Sequence, residues 1–286
     1  MNILSIQSWV AYGHVGNAAA VFPLQRLGAE VWPVHTVQFS NHTGYGHWEG
    51  EVFTAAAIGA VIDGIAARGA LARCDAVLSG YMGDPSIGAV ILDAAARVRA
   101  ANPAALYACD PVIGDVGTGP YVRAGIEPLI RDQAVPAADL LTPNHFELER
   151  LCGAPCATRA EAIAAVAALR ARMHPSGPRA VLVTSLRTVE TPEDSLDLMA
   201  ADAQGFVLIR TPLLPLSVNG AGDAIAALFL FHFHQTGQAA AAAARAAASI
   251  HGLLQRTQAA GSRELLIVAA QDEYVVPSVT FTPFAC

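Results

Sequence analysis

Asn219-Gly220-Ala221-Gly222-Asp223 runs directly into Ala224-Ile225-Ala226-Ala227-Leu228-Phe229-Leu230-Phe231, a glycine-rich turn opening a long apolar helix. The two glycines let the backbone turn sharply and come close to a ligand. The first-turn N–H groups of the helix have no intrahelical partners, and with the positive end of the helix dipole they form a site for an anion. Asp223 sets a carboxylate beside that site, which suits removal of a proton from a hydroxyl attacking a phosphate. Taken alone, the segment is better explained as an ordinary helix start in which Asp223 balances the dipole. The rest of the chain has to decide between the two.

Working outward, apolar strand patterns fall at 2–7, 30–37, 75–79, 105–110, 139–142, 180–184, 195–200 and 206–210. Amphipathic or alanine-rich helices are expected between them at 18–27, 54–68, 87–100, 125–133 and 161–173, with two more at 222–234 and 238–254. Thr158-Arg159-Ala160-Glu161 is a capping box. The alternation predicts an α/β fold with a mostly parallel sheet covered by helices on both faces. Residues 195–210, turning at Ala203-Gln204-Gly205, are expected to add a hairpin to that sheet. No composition break, long linker or internal repeat divides the 286 residues, so 1–286 is expected to be one domain.

Composition narrows the chemistry. The chain has no lysine, so all 17 basic residues are arginines. This excludes a P-loop and a protein-kinase fold, each of which needs a lysine. It also excludes an enzyme holding pyridoxal phosphate as a Schiff-base cofactor. Phosphates would have to be held by backbone N–H groups, arginines and metal ions. A net charge of −7 offers no electrostatic footprint for nucleic acid. The apolar runs are too short for a membrane span, and Met1-Asn2-Ile3-Leu4-Ser5-Ile6 reads as a strand and not a signal peptide. The five cysteines lack zinc spacing and are expected to be reduced thiols of a cytoplasmic protein. Gly153 and Pro155 place a turn between Cys152 and Cys156.

In sheets of this kind, ligands sit beyond the carboxyl ends of the strands. Ser8 and Tyr12-Gly13-His14-Val15-Gly16-Asn17 follow the first strand, without the spacing of a dinucleotide-binding turn. Gln38-Phe39-Ser40-Asn41-His42-Thr43-Gly44-Tyr45-Gly46-His47-Trp48 follows the second and suits a flat, heteroatom-bearing ring. An ordinary turn-rich surface loop fits that composition equally well. Asp110, ending the fourth strand, is placed to hold Mg²⁺ directly or through water, and the glycine-rich 113–122 stretch has the make-up of a flap that excludes water, although an ordinary connecting loop is the commoner case. Asn144 and Glu147 are spaced as a helix N-cap and its partner, which explains both without a metal. Ser79-Gly80-Tyr81 and Thr184-Ser185 complete the strand-end loops, and His232 and His234 are incidental.

Assembled, these segments resemble the pyridoxal kinases of the ribokinase-like superfamily, nearly end to end. The resemblance is carried by Ser5-Ile6-Gln7-Ser8 with Tyr12–Asn17, by Thr36-Val37-Gln38-Phe39-Ser40-Asn41-His42-Thr43, and by Ser79-Gly80-Tyr81. It continues through Asp110-Pro111-Val112-Ile113-Gly114-Asp115, Thr142-Pro143-Asn144 with Glu147, Val183-Thr184-Ser185 and Gly220-Ala221-Gly222-Asp223. The late G-x-G-D marks the superfamily. The motifs of the first strand and second loop single out pyridoxal kinases within it.

The resemblance implies a three-layer αβα fold with a short lid, and ATP-dependent phosphorylation of the 5′-hydroxyl of pyridoxal in vitamin B6 salvage. It implies that Asp223 is the base and that Gly220, Ala221 and Gly222 form the anion hole. Ser8, Thr43, Gly44 and Tyr81 would meet the pyridine ring. Asp110 and Glu147 would serve Mg²⁺, Thr142 a monovalent cation such as K⁺, and Asp115 and Tyr121 the lid. Asp110, Thr142, Asn144, Glu147, Thr184, Ser185, Thr211, Pro212, Leu213 and Leu214 would line the ATP site, and the family implies a homodimer. Some relatives carry Lys at Thr184, Thr at Ala221 or glutamine at Gly44, and one branch has a lid cysteine at Pro120. Two other activities compete: phosphorylation of hydroxymethylpyrimidine, alone or with B6 vitamers, and a weakly active carrier of pyridoxal phosphate.

Overall fold

In the computed structural model, which describes residues 1–286, β1 (Asn2–Val10) leads through α1 (Asn17–Arg26) to β2 (Glu30–Phe39). The chain doubles back along β3 (Gly50–Val52) into α2 (Ala55–Ala66), then β4 (Ala76–Ser79), α3 (Pro85–Ala101) and β5 (Leu106–Cys109). A small hairpin of β6 (Gly114–Asp115) and β7 (Gly119–Pro120) interrupts the alternation. The helix expected at 125–133 is irregular, with α4 (Ile126–Leu129) passing through a π turn, Ile130–Ala134, into α5 (Val135–Ala137). Pro136 cannot donate to the carbonyl four residues back, so a regular α-helical ladder cannot continue through it.

After β8 (Leu140–Leu141) come α6 (His145–Cys152), α7 (Arg159–Arg172) and β9 (Ala180–Leu186). The hairpin of β10 (Ser195–Asp202) and β11 (Gly205–Pro212) precedes α8 (Ala221–Thr236), α9 (Ala239–Ala259), α10 (Asp272–Val275) and β12 (Phe284–Ala285). Both expected caps form. Thr158 Oγ1 accepts from Glu161 N–H at 3.2 Å, and Asn144 Oδ1 accepts from Glu147 N–H at 2.9 Å. Gly153, in the left-handed region at φ 71°, ends α6 and separates Cys152 from Cys156.

One continuous sheet of ten strands runs β12-β11-β10-β9-β8-β5-β4-β1-β2-β3. The six from β2 to β9 pair in parallel, and β3, β10, β11 and β12 are antiparallel additions on the two edges. Successive residues of one strand serve opposite cores. Val181 and Val183 face the layer of α2, α3, α6 and α7, while Ala180 and Leu182 face that of α1, α8 and α9. Helices therefore cover both faces, giving three αβα layers. The chain leaves β1 toward β2 on one side and joins β4 on its other side, which makes the carboxyl end of β1 the topological switch where such sheets bind ligands. No helix is long and apolar enough to cross a membrane.

Candidate active site

Strand ends β1, β2, β4, β5, β8 and β9 open onto one rim, and the head of α8 closes it. β1 runs to Val10, so Ser8 lies inside the strand and not after it. It sits at an irregularity, where the pairing with β2 shifts between Gln7 and Trp9. A Cβ on Gly16 would overlap Ser8 Oγ, so only glycine lets the following loop cross this close. The Gly16 backbone in turn lies near the Asp223 carboxylate and favours its charged form, bringing the acceptor loop to the first turn of α8.

Gly220 precedes that turn at φ 90°, and a Cβ there would overlap the carbonyl oxygen of His14. Ala221, Gly222 and Asp223 then present the free N–H groups of the helix start. Asp223 has its carboxyl pushed up to about 6 by removal from water, with the nearby backbone of Gly16 acting in the opposite direction. Asp110 stands just beyond β5, buried, accepting from the Thr142 hydroxyl at 2.9 Å. Burial raises its carboxyl well above the ordinary range, and the charges of Glu147 and Asp223 raise it further. Glu147 is pushed up to about 7, again mainly by burial.

Both Glu147 oxygens are already engaged. Oε1 accepts from Ile113 N–H at 2.7 Å, and Oε2 from Asn144 N–H at 2.9 Å. The first bond holds the chain beside Val112, a β-branched residue in the left-handed region at φ 46°. Asn144 Nδ2 donates to the Gly114 carbonyl at 2.8 Å, so the residue that caps α6 also fixes the base of the β6–β7 hairpin. Tyr121, leaving that hairpin, has a half-exposed ring. Its hydroxyl is nevertheless held protonated, first by burial and then by the charges of Glu147, Asp223, Asp110 and Asp115. Asp115 itself is exposed on the hairpin.

No arginine or histidine is ion-paired to Asp110, Glu147 or Asp223. A buried carboxylate raised further by two others, with no cationic partner, is an environment that suits a divalent cation. The three do not form a chelating cluster, since no three or more His, Cys, Asp or Glu side chains converge closely enough to bind a metal. Two of the residues expected to serve cations are already bonded within the protein. Glu147 supplies charge with its oxygens committed to backbone donors, Thr142 bonds Asp110, and Asp110 keeps one oxygen free of protein partners.

On the other side of the α8 turn, Thr184, Ser185, Thr211, Ala221 and Gly222 line one open pocket. Ser185, at φ 52°, forms a bulge where the β9–β10 pairing shifts between Asp197 and Met199, which re-aims Thr184 and Ser185 out of the ladder. Pro212, Leu213 and Leu214 do not line this pocket. Pro212 ends β11, and Leu213 is bonded outward to the Asp194 carbonyl at 2.7 Å and is 41% exposed. The apolar walls come from residues that sequence reasoning did not single out: Leu196 and Leu198 of β10, Ile225 of α8, and Ala247, Ile250, His251 and Leu254 of α9. The α9 set stands at i, i+3, i+4 and i+7, a face readable as core from sequence but not as a pocket wall. On the acceptor side, Tyr81 is part-buried against Val10, Val37 and Phe39, and Thr36 Oγ1 donates to its carbonyl at 2.6 Å. Thr43 and Gly44 stand exposed on a one-turn 3₁₀ helix.

Residues 52–267 match the family model for phosphomethylpyrimidine kinase. Over its full length the chain is 63% identical to the pyridoxal kinase PdxY of Granulibacter bethesdensis, covering 100% of both proteins. It is 55% identical to the pyridoxal kinase PdxY of Deinococcus radiodurans, over 98% of this chain and 95% of that one. The pyridoxal kinase from Leishmania donovani in complex with ADP and ginkgotoxin has the same fold, with a TM-score of 0.90 at 29% identity and 99% of each chain covered.

Proposed function

The chain belongs to the pyridoxal kinase family, and we propose on that premise that it transfers the γ-phosphoryl group of ATP to the 5′-hydroxyl of pyridoxal. The observation that carries this reading is the position of Asp223. Its carboxylate lies at a helix start with free N–H donors that borders a pocket lined by Thr184, Ser185 and Thr211, on the sheet rim that also carries Ser8 in β1 and, after β2 and β4, Thr43, Gly44 and Tyr81. A carboxylate titrating near 6 is mostly ionised at neutral pH and still basic enough to take a proton from a hydroxyl. The N–H groups of Ala221 and Gly222 would meet the oxygens of the transferring phosphoryl. The apolar α9 wall suits the nucleotide base, and the β6–β7 hairpin with Tyr121 suits exclusion of water. Asp110 would hold Mg²⁺ with Glu147 adding charge, and the bound ion would offset the negative charge of the phosphates.

A monovalent cation at Thr142, a homodimeric state and a cytoplasmic location belong to the same reading and rest on the family. The unbroken sheet supports treating 1–286 as one catalytic domain. A second reading, phosphorylation of hydroxymethylpyrimidine, is favoured by the phosphomethylpyrimidine kinase match. ADP release with Mg-ATP and pyridoxal, pyridoxine, pyridoxamine or hydroxymethylpyrimidine separates the two. Turnover is expected to be fastest with a B6 vitamer. Turnover with the pyrimidine alone would overturn the proposal, as would tight binding of pyridoxal phosphate without turnover of any acceptor.

A further inference from the structure

Glu264 lies beyond the end of α9, far in sequence from every residue of the acceptor loops, yet its carboxylate joins them. Oε1 accepts from the Tyr45 hydroxyl at 2.6 Å and from His42 Nε2 at 3.2 Å, and Oε2 accepts from His14 N–H at 3.2 Å. The approach is so close that a Cβ on Gly13 would overlap the carboxylate. The guanidinium of Arg263 stands 5.1 Å over the Tyr45 ring, adding a second clasp from the same segment.

The segment that presents Glu264 is itself fixed. Ser262 Oγ donates to the Glu264 carbonyl at 2.6 Å and accepts from its N–H at 3.1 Å. The next residue, Leu265, is buried in the core. The loops it holds bear on the reaction centre, because the His14 carbonyl packs against Gly220 and Asn219 Nδ2 lies 3.5 Å from His42 Nε2. With Nε2–H donating to Glu264, His42 Nδ1 is left as an acceptor, buried without a partner and facing Gly44.

We propose that Glu264 is a positioning residue for the acceptor. It locks the Thr43–Tyr45 turn, the His42 tautomer and the Gly13-His14 segment into one register with the Gly220 turn at the head of α8. This rests on the kinase reading above, and no contact of Glu264 with substrate is involved. Its loss acts on the acceptor and spares the nucleotide, since none of its contacts reaches the pocket formed by Thr184, Ser185 and α9.

The test is steady-state kinetics of Glu264→Ala, Glu264→Gln and Tyr45→Phe, with melting temperatures beside them. Glu264→Ala is expected to raise KM for pyridoxal about tenfold or more and to lower kcat, with KM for ATP changed less than about twofold. Glu264→Gln keeps an acceptor for Tyr45 without the charge and should fall between the wild type and the alanine variant. Tyr45→Phe removes the 2.6 Å bond alone and should shift KM for pyridoxal in the same direction, even if Glu264→Ala does not fold. Unchanged constants for pyridoxal would overturn the proposal, and so would a parallel rise of both KM values with a falling melting temperature. Calorimetric titration of pyridoxal makes the same comparison without turnover. An inactive wild type would thus defeat the kinase reading, while the affinity ratio would still decide this one.

Discussion

Asp223 differs from an ordinary helix-start aspartate in the water it has lost. An aspartate that merely balanced a dipole would stand free in solvent. This one is partly buried, and loss of water raises it to about 6 although the nearby backbone of Gly16 and its own N–H act the other way. Asp223→Asn should lower kcat by about 10² to 10⁴, the usual contribution of a general base, with ATP affinity retained. A variant keeping most of its kcat would remove Asp223 from that role. The same shift fixes a pH dependence. A base must be ionised to act, so wild-type kcat/KM should fall as pH drops through about 6, where an ordinary aspartate would hold activity to near 4. The residual rate of Asp223→Asn should lack that limb. An identical acid limb in the variant would assign the titration to another group.

Among the elements, the β6–β7 hairpin depends on a residue that the sequence explains for another reason. Asn144 reads as an N-cap and is one, but its amide also holds the Gly114 carbonyl at 2.8 Å. The two roles can be separated. Asn144→Ala loses both, and a lost cap of about 1 kcal/mol should lower the melting temperature by about 2–4 °C. Asn144→Ser keeps an acceptor for Glu147 N–H but has no donor able to reach Gly114. It should melt close to the wild type while matching the alanine variant in reduced kcat and in increased ATP hydrolysis without acceptor. Wild-type kinetics in Asn144→Ser would mean the hairpin does not need this anchor. The case also shows where legibility stops. Strand-helix alternation, both capping boxes and the Gly153 turn could be read because each is set by neighbours within a few residues. The hairpin pairs only Gly114 with Pro120 and Asp115 with Gly119, too short to leave a period. The bulge at Ser185, the α9 pocket wall and the clasp of Glu264 on His14 depend on contacts across the fold, which no local pattern encodes. Strand-end carboxylates were legible as candidates. That Glu147 would spend both oxygens on backbone donors was not.

At the scale of the whole molecule, the buried carboxyls of the candidate site and the buried His232 of α8 pull stability in opposite directions with pH. Glu147, raised to about 7, binds its proton more tightly in the folded chain than in the unfolded one. Its contribution therefore favours folding at low pH and is lost as pH rises through the interval from its unfolded value to about 7. Asp110 acts in the same direction. His232, buried on α8 with neither ring nitrogen bonded, is lowered to about 4 by loss of water and by the nearby Arg245 charge. The unfolded chain takes up that proton more readily, so stability present above about 6.5 is lost as pH falls toward 4. The Glu147 and His232 shifts are each worth about 3 kcal/mol and oppose one another, but Asp110 and Asp223 add to the Glu147 side, so the balance favours the folded chain toward lower pH. His232→Leu removes only the histidine shift, at similar volume and with better helix propensity. The wild type should gain in urea midpoint on going from about pH 7.5 to about pH 5, and the variant, freed of the opposing histidine, should gain more, by about a further 0.5–1 M. Mg²⁺ should raise the midpoint of both proteins at the higher pH, where the carboxylates are ionised and repel one another. Parallel pH profiles for wild type and variant would show that His232 is hydrated in the folded protein and that the carboxylates alone shape the curve.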